Sequence, residues 1–228
     1  PDDNLAAQPV DCGACHKLEN GKPVAQLVEK PPALCTSCHD DLAGVAKLAH
    51  PHPPAADGEC LQCHQPHRGV AKGLLKSKPV ELCGECHDTV ADAMKQPVVH
   101  PAFANGACAS CHDVHGSERE HLVKTADGAM CLVCHTDKSA RTVATGAHPP
   151  FAKQDCLRCH APHAAAEPHL LRKDMRSLCR TCHSDLTQKL AGLEVHPPFR
   201  SGQCEACHDP HQSTRQHLLK DEPAKLCG

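Results

Sequence analysis

Nine copies of the motif CxxCH, placed at a strict period, constrain this chain more than any other feature of its 228 residues. From the first cysteine of one copy to that of the next, the intervals alternate between twenty-three and twenty-five positions, so two motifs make one 48-residue unit. Eighteen of the 19 cysteines belong to these copies. The nine copies are Cys12-Cys15-His16, Cys35-Cys38-His39, Cys60-Cys63-His64, Cys83-Cys86-His87, Cys108-Cys111-His112, Cys131-Cys134-His135, Cys156-Cys159-His160, Cys179-Cys182-His183 and Cys204-Cys207-His208.

Two kinds of motif alternate along the chain and differ in the segment on their C-terminal side. The long-tail motifs precede stretches such as DLTQKLAGLEV, in which Asp or Thr comes first and apolar residues recur at helical spacing. The short-tail motifs precede tight, mostly proline-interrupted stretches such as CHQPH. We expect a short helix after each long-tail motif and a loop after each short-tail motif. The long-tail motifs begin at Cys35, Cys83, Cys131 and Cys179, and the short-tail motifs at Cys12, Cys60, Cys108, Cys156 and Cys204.

The spacing within each motif is that of covalent c-type haem attachment. Two cysteines three apart reach two substituents on one porphyrin edge, and the next histidine projects its imidazole toward the iron. Zinc sites made from CxxC pairs need a second pair or further ligands, and zinc gives no reason for a histidine after every second cysteine. Redox disulfides within the motifs would leave the core of the protein unexplained. The sequence therefore predicts nine haems c, with zinc as the alternative.

The composition agrees with a chain that wraps cofactors. Trp and Tyr are absent, and the only aromatic residues of the FWY class are Phe103, Phe151 and Phe199, so the large side chains of an ordinary core are missing. The formal charge of −3 gives no basic footprint for nucleic acid. No stretch approaches the roughly 18 apolar residues of a membrane span. We expect one elongated domain over residues 1–228, mostly loop with short α-helices and no significant sheet, around a continuous row of haems.

Equivalent positions of the 48-residue repeat form what we call a column. Two columns outside the motifs have histidine in all four full units, which makes these histidines candidates for the second axial ligand of the irons. One column precedes proline and stands after each long-tail motif, at the spacing from Cys35 to His52; the other stands after four short-tail motifs, at the spacing from Cys60 to His67. With two histidines on each iron, the haems would be low-spin and of low potential. The candidates are His52, His100, His148 and His196 in the first column and His67, His115, His163 and His211 in the second.

Other candidate ligands recur less regularly. A third histidine column, which reads HLV or HLL, has Gly73 as its first member, so we expect these residues to lie at the surface or to contact haem propionates. Met130 falls in a column otherwise occupied by leucine, and Met94 and Met175 do not recur, so methionine ligation is not expected. The histidines of the third column are His121, His169 and His217.

Nine haems need nine such ligands, and the two complete columns supply eight. The motif at Cys12 has Glu19 where its own column would have histidine. His50 occurs only in the first long-tail unit and is our candidate for the ninth ligand. A histidine upstream of Pro1, or one from a neighbouring chain, would serve equally.

With both tails described, the sequence resembles the paired-CxxCH multihaem cytochromes c. The segment HPPFRSGQCEACHDPHQSTRQHLLKDEPAKLC is especially similar to the periplasmic decahaem component of porin–cytochrome conduits, and the resemblance extends over nearly the whole chain. In that family the histidine after CH.P and the histidine of HP are axial ligands, which implies the same role for the two columns. The strict 48-residue period and Glu19 depart from the family pattern and leave room for an extracellular cytochrome filament.

The expected function is electron transfer without bond chemistry, because an iron with two histidine ligands has no position for a substrate. The resemblance implies other redox proteins as partners, with an outer-membrane porin or identical subunits in a filament as alternatives. Haem attachment and the start at Pro1 without a leader indicate a trimmed chain outside the cytoplasm, in the periplasm, at the outer membrane or outside the cell. A multihaem reductase would need a five-coordinate iron, for which the haem at Cys12 is the candidate. A haem store would show no rapid electron exchange.

The remaining cysteine, Cys227, lies in the register of the repeat. It follows Cys204 at the spacing that separates Cys12 from Cys35, and Leu226 occupies the column of Leu34, Leu82, Met130 and Leu178 that precedes every long-tail motif. We expect Cys227 to be the first cysteine of a tenth haem motif that continues beyond Gly228. The alternative is a free thiol.

Overall fold

The computed structural model describes residues 11–138, 146–186, 190 and 192–226. Short helices dominate these residues, and they recur with the repeat because the same proline and cysteine positions recur. Helices α1, α3, α6 and α8 carry the first cysteine of the four long-tail motifs. The α-helices are α1 Ala33–Thr36, α2 Pro53–Ala56, α3 Pro79–Gly84, α4 Asp88–Ala93, α5 Pro101–Ala104, α6 Asp127–Leu132, α7 Pro149–Ala152, α8 Met175–Arg180, α9 Pro197–Ser201 and α10 Pro223–Leu226.

The first cysteines of the short-tail motifs lie instead in single turns of 3-10 helix. These turns span Cys12–Ala14, Cys60–Gln62, Cys108–Ser110, Cys156–Arg158 and Cys204–Ala206. Helices α2, α5, α7 and α9 begin at the proline that comes directly after a histidine of the HP column, because proline has the backbone angle of a first helical turn and needs no N–H partner there. The repeat thus alternates a helical motif, an HP helix and a tighter 3-10 motif.

The strands are short, and all of their pairings are antiparallel. Strands β1 (His16–Glu19) and β2 (Lys22–Leu27) form a hairpin whose turn residues, Asn20 and Gly21, have φ of 51° and 73°, the left-handed values that a tight hairpin turn requires. Strand β3 (His50–Pro51) pairs with β5 (Gly116–Ser117), and β4 (Val98–Val99) pairs with β6 (Ala164–Ala165). The prediction of a loop-rich fold with short helices and no significant sheet is confirmed.

The helices expected after the long-tail motifs form to different extents. The second is α4, whereas the first and third shorten to 3-10 turns at Asp40–Leu42 and Thr136–Lys138. The fourth lies partly outside the described residues. No helix among the described residues has the length and apolar content needed to cross a membrane.

The chain divides into two compact units by its internal contacts. One comprises Pro1–Ser77 with His112–Leu122, and the other Lys78–Cys111 with Val123–Gly228. Very little apolar side chain is buried: among the described residues the apolar core consists of Val45, Phe103, Ala165 and Leu171, each 6–9% exposed. No large side chain in the described ranges is less than 2% exposed. The shortage of core residues that the composition predicts is therefore present in the fold. The expectation of a single domain stays a prediction.

Candidate haem sites

Each motif is about one helical turn that gathers its two attachment cysteines and its histidine. In the long-tail motifs the backbone N–H of the histidine donates to the carbonyl of the first cysteine, over 3.0 Å from His39 to Cys35 and 2.9 Å from His87 to Cys83. The short-tail motif at Cys60 closes in the same way, with 3.0 Å from His64. Residues three and four apart on a helical turn share a face, so both thiols and the imidazole are presented to one side. This is the arrangement that covalent haem attachment requires.

The motif histidines of all five short-tail motifs are oriented by a backbone carbonyl. The Nδ1 of His64 lies 2.7 Å from the Gly73 carbonyl, and that of His16 lies 2.7 Å from the Val24 carbonyl. The corresponding contacts of His112, His160 and His208 are with the carbonyls of His121, His169 and His217, at 2.8, 2.9 and 2.8 Å. A carbonyl can only accept, so Nδ1 carries the proton and Nε2 keeps its lone pair for a metal.

These contacts explain the third histidine column, whose role the sequence did not disclose. Its members have left-handed backbone, with φ of 78° at Gly73, 58° at His121, 57° at His169 and 56° at His217, and the leucine after each is left-handed too. The turn aims the carbonyl at the motif histidine, while the rings of the three column histidines are exposed. Histidine is one of the few side chains enriched in this conformation, and glycine adopts it freely. The substitution of Gly73 for histidine was the signal that could have revealed a backbone role.

The structure brings the rings of three short-tail motif histidines close to those of second-column histidines, at small interplanar angles. Ring centroids are 5.8 Å apart for His16 and His67, at an interplanar angle of 18°. The separation is 6.0 Å for His64 with His115, at 29°, and 6.0 Å for His160 with His211, at 9°. In each pair the sequence offset is the same, and the partner belongs to the next short-tail unit.

Long-tail motif histidines face members of the HP column. The ring centroids of His100 and His135 are 6.3 Å apart at 74°, and those of His148 and His183 are 6.2 Å apart at 22°. Here the partner lies upstream of the motif histidine, again at one constant offset. Thus neither kind of motif faces the column histidine that comes next within its own tail.

The separation of the paired rings fits one iron between two imidazoles. A metal lies about 2.0 Å from an imidazole nitrogen, and ring bonds of about 1.33 Å place that nitrogen about 1.1 Å from the ring centre. Two rings on opposite sides of one iron therefore have centres about 6.2 Å apart. The five observed values, from 5.8 to 6.3 Å, lie close to this distance. The residues present thus fit haem.

A backbone hydrogen bond ties the two columns together. The N–H of His52 donates to the carbonyl of His115 over 3.0 Å, and that of His148 donates to the carbonyl of His211 over 2.9 Å. The N–H of His100 donates to the carbonyl of His163 over 2.8 Å, next to the β4–β6 ladder. One short piece of backbone therefore positions two column histidines that lie more than one repeat apart in sequence.

Aromatic side chains support the second column. The Phe103 ring stacks on His163 with centroids 4.7 Å apart, and the Phe151 ring meets His211 edge-on at 5.1 Å. Both phenylalanines stand at the third position after an HP histidine. Two of the three aromatic residues of this chain thus contact a candidate ligand, a role that composition alone did not reveal.

The environment favours the neutral imidazoles that metals bind. Burial lowers the pKa of His100, and the neighbouring His135 lowers it further. Burial and His183 likewise lower the pKa of His148. The pKa values of His115 and His211 are also lowered, first by burial, although nearby carboxylates oppose the effect. A neutral ring keeps the lone pair that an axial ligand donates.

The attachment cysteines of successive motifs lie close together within each unit. Burial and the neighbouring Cys60 thiol raise the pKa of Cys35, and burial with Cys204 raises the pKa of Cys179 to about 11. The pKa values of Cys111 and Cys159 are raised in the same way, first by burial and then by Cys134 and by Asp155 with Cys182. The thiols that would attach successive haems are therefore neighbours.

The structure places a second-column histidine beside the motif at Cys12. Glu19 suggested that the motif at Cys12 has none, but the ring facing His16 is that of His67. Glu19 instead ends β1 and pairs with Lys22 across the hairpin. His50, the candidate ninth ligand, lies on β3 with its backbone paired to Ser117.

The remaining candidates are placed individually. His196 directly precedes α9, and His39 and His87 directly precede a 3-10 turn and α4. Cys227, the expected start of a tenth motif, lies outside the described residues.

Comparison with known proteins agrees with the motifs. A family model described as the doubled CXXCH motif matches residues 5–44, 52–92, 100–140, 148–188 and 196–228, which is more than half of the chain. No curated protein matches it. Doubled CXXCH motifs hold covalently bound haem c, and cytochromes with many such haems transfer electrons and typically work outside the cytoplasm. The chain therefore belongs to the doubled CXXCH motif family and is a multihaem c-type cytochrome.

Proposed function

We propose that this cytochrome carries electrons along a row of haems whose irons are each held by two histidines, as part of an extracytoplasmic conduit to or across an outer membrane. The observation that carries the proposal is the set of five imidazole pairs with ring centroids 5.8–6.3 Å apart. The bound haems supply reversible one-electron chemistry.

The pairs supply a ligand assignment for individual motifs. We assign His67, His115 and His211 to the irons held by His16, His64 and His160, because these rings face one another. We assign His100 and His148 to the irons of His135 and His183 on the same ground. The same offset from His196 leads to position 231, which is where the expected tenth motif would have its histidine.

The chain's own groups hold these ligands in place. Carbonyls at Gly73, His169 and His217 fix the motif imidazoles of the short-tail sites in the Nδ1–H tautomer. Hydrogen-bonding to Nδ1 increases the basicity of the coordinating nitrogen. These contacts hold the motif imidazoles of the short-tail sites in one orientation before an electron arrives. Such preorganised sites favour fast transfer over substrate chemistry.

A conduit component and a filament subunit would bind different partners. The similarity to the periplasmic decahaem component of porin–cytochrome conduits favours docking to an outer-membrane porin, whereas a filament needs end-to-end contact between identical subunits. Electron exchange with soluble redox partners needs only small transient contacts. Purification of the native protein distinguishes them, because a conduit component co-purifies with a porin and a filament subunit sediments as polymers of one chain.

The reductase alternative loses its motivating observation. It relied on a missing partner at Cys12, and the His67 ring, 5.8 Å from that of His16, supports a histidine partner there. We therefore favour a carrier over an enzyme at that haem.

Spectroscopy of the purified cytochrome tests the electron-carrier proposal. We expect a pyridine haemochrome assay to give nine haems for these 228 residues, and electron paramagnetic resonance to show mainly low-spin ferric signals with two histidine ligands. Stopped-flow reduction should be complete for all low-spin haems. Bound zinc with little haem, or high-spin iron at most sites, would refute the assignment.

A further inference from the structure

One repeat carries an excess of positive charge around two consecutive haem motifs. Residues 153–180 contain six basic and three acidic side chains, a net charge of +3. The whole chain has a formal charge of −3, so this segment is opposite in sign to the protein that contains it. The equivalent segments of the other repeats have net charges between −2 and +1; they are residues 9–36, 57–84, 105–132 and 201–228.

Three of these basic residues, Arg158, Arg176 and Arg180, occupy columns in which every other repeat has a neutral residue. Arginine forms paired hydrogen bonds with carboxylates, and it is enriched in protein interfaces where lysine is depleted. The excess charge therefore consists of the basic side chain best suited to an acidic partner. The equivalent residues are Ala14, Gln62, Ser110 and Ala206 for the first column, Pro32, Val80, Gly128 and Ala224 for the second, and Thr36, Gly84, Leu132 and Gly228 for the third.

Two of the arginines lie on α8, the helix that carries the first cysteine of a long-tail motif. Arg176 and Arg180 are four residues apart and share one face of this helix. Both line one cavity with Cys179 and His183, which belong to the same motif. Arg176 is exposed and Arg180 half-exposed.

The third arginine comes from the preceding motif and reaches the other cysteine of the same site. Hydrogen bonding to Asp155 raises the pKa of Arg158, and the neighbouring Cys182 thiol raises it further. The Arg158 side chain is 58% exposed, and Cys182 is exposed as well. Arg158, Arg176 and Arg180 thus flank one haem-attachment site at the surface, and we call them the arginine surface.

Internal carboxylates leave most of this charge available. Within the residues that the structure describes, Arg158 alone among the three forms a salt bridge, of 3.3 Å to Asp155. Asp174, the acidic residue next to α8, accepts a hydrogen bond from the Ser177 N–H over 2.9 Å and caps the helix. The vinyl groups of haem that react with cysteine and the propionates are on opposite edges of the porphyrin. Cations beside the cysteines are therefore on the edge away from the propionates of that haem.

We propose that the arginine surface is the docking site of an acidic redox protein that exchanges electrons with the haem attached at Cys179. The reduced partner loses one electron and the ferric haem gains it, so no bond is made or broken. The inference rests on the proposed electron-carrier function and adds the place and the charge of a partner. Opposite charges accelerate such encounters by about 10–10³-fold at low salt, and salt screens the effect.

Stopped-flow reduction of the full-length, haem-loaded protein tests the docking site. The probe is a reduced acidic [2Fe–2S] ferredoxin, whose potential of about −400 mV suits low-potential haems. We expect the second-order rate constant to fall roughly tenfold or more between about 0.01 M and 1 M salt, as the screening length falls from about 30 to about 3 Å. A rate constant independent of salt would overturn the proposal.

Matched variants identify the residues responsible. The test variant and its control each replace three basic residues with glutamine, so both change the net charge equally. At low salt we expect the test variant to be roughly tenfold slower with ferredoxin and the control to stay within about twofold of the native protein. Equal rate constants for the two variants would contradict the assignment. The test variant is Arg158→Gln with Arg176→Gln and Arg180→Gln, and the control is Lys78→Gln with Lys95→Gln and Lys225→Gln.

A small reductant separates docking from effects on the haems themselves. Reduced methyl viologen needs no docking surface, so the test variant should be reduced by it at least as fast as the native protein. Equal slowing with viologen and ferredoxin would overturn the proposal, because the arginines would then act on the haems. Failure of viologen to reduce the native protein would instead refute the electron-carrier function.

Carbodiimide cross-linking of the native cytochrome to ferredoxin requires no variant. The reagent joins carboxylates to lysines, and Lys153 and Lys173 are exposed basic residues of the same segment. We expect mass spectrometry to find ferredoxin carboxylates joined to one of these two lysines. Cross-links that map only outside residues 153–180 would overturn the proposal. Arginine-dependent dimers of the cytochrome at low salt would also overturn it, by making a second copy the partner.

Discussion

In one repeat the glycine of a close contact lies on the opposite segment from its place in the other repeats. Replacing that glycine with a larger residue should destabilise the fold by a predictable amount. Where an HP helix leads toward the next motif, three units have a left-handed glycine, namely Gly58, Gly106 and Gly202, and the fourth has Gln154 with φ of 60°. A Cβ at Gly58 would lie 2.6 Å from the Pro32 ring, and one at Gly202 would lie 2.8 Å from Cγ of Arg176. Opposite Gln154 the side chain is missing instead, because the residue there is Gly128.

Replacing Gly128 with alanine should therefore destabilise the fold although it lies in a helix. The new Cβ would overlap Cβ of Gln154 and lie 3.0 Å from its Cα. Overpacking costs about 1–3 kcal/mol, whereas alanine in a helix is normally favoured over glycine by about 1 kcal/mol. Because the new Cβ meets backbone as well as side-chain atoms of Gln154, the overpacking cost lies at the upper end of its range. The net cost of about 2 kcal/mol corresponds to a melting temperature lower by roughly 4–8 °C in a domain of this size.

Thermal melts followed by circular dichroism in the Soret band measure the effect on the haem-bound protein. Gly84→Ala is the matched control, because nothing lies within 4 Å of its Cβ and Thr36, Leu132 and Arg180 occupy the same place in other units. Adding Gln154→Gly to the Gly128→Ala variant should restore its melting temperature. The second change removes the opposing Cβ, and it removes a left-handed non-glycine residue that costs about 1–2 kcal/mol. Equal melting of the Gly128→Ala and Gly84→Ala variants, or no recovery in the double variant, would contradict the packing explanation.

Substitutions at three further residues test the ligand geometry. His148→Ala should convert one haem to the high-spin state, seen by electron paramagnetic resonance, whereas His169→Ala should convert none because the contact of His169 with His160 uses a backbone carbonyl. His169→Gly should retain the melting temperature, while His169→Val should lower it, since β-branched residues tolerate a φ of 57° poorly. Phe103→Ala should cost up to about 3–5 kcal/mol in Soret-detected thermal or denaturant unfolding, because Phe103 is only 9% exposed and its ring stacks on His163 at 4.7 Å. A melting temperature that does not change in Phe103→Ala would show that haem, and not this ring, holds His163.

The sequence alone predicts the two cysteines and the motif histidine of each site. It does not predict which second histidine lies beside each motif histidine. Cysteine spacing and the adjacent histidine are local, so one helical turn settles them, as at Cys35 and His39. The partner of His16 depends on where the chain passes one whole unit later, which no local pattern encodes. Completeness of the columns identified histidines whose rings the structure places beside motif histidines, but it left Cys12 without a partner, and there the His67 ring lies 5.8 Å from that of His16.

Backbone roles were the other part that sequence patterns concealed. His121 was expected at the surface for its side chain, and its ring is indeed exposed, but its carbonyl is what contacts His112. The hairpin of β1 and β2 replaces that turn in the first unit, where Val24 supplies the acceptor instead. Its Asn20-Gly21 turn was a readable signal of a hairpin.

The offsets between paired histidines also govern how such an array can be made and how it can change length. On the proposed ligation, the iron of His160 cannot gain its second histidine until the segment that carries His211 has reached the same compartment and folded back, so haem-loaded segments depend on later sequence for completion. A premature stop or a nick would expose irons well upstream of the break. Only insertion or loss of whole 48-residue units keeps the sequence separation of every histidine pair. The number of haems in the row therefore changes in steps of two.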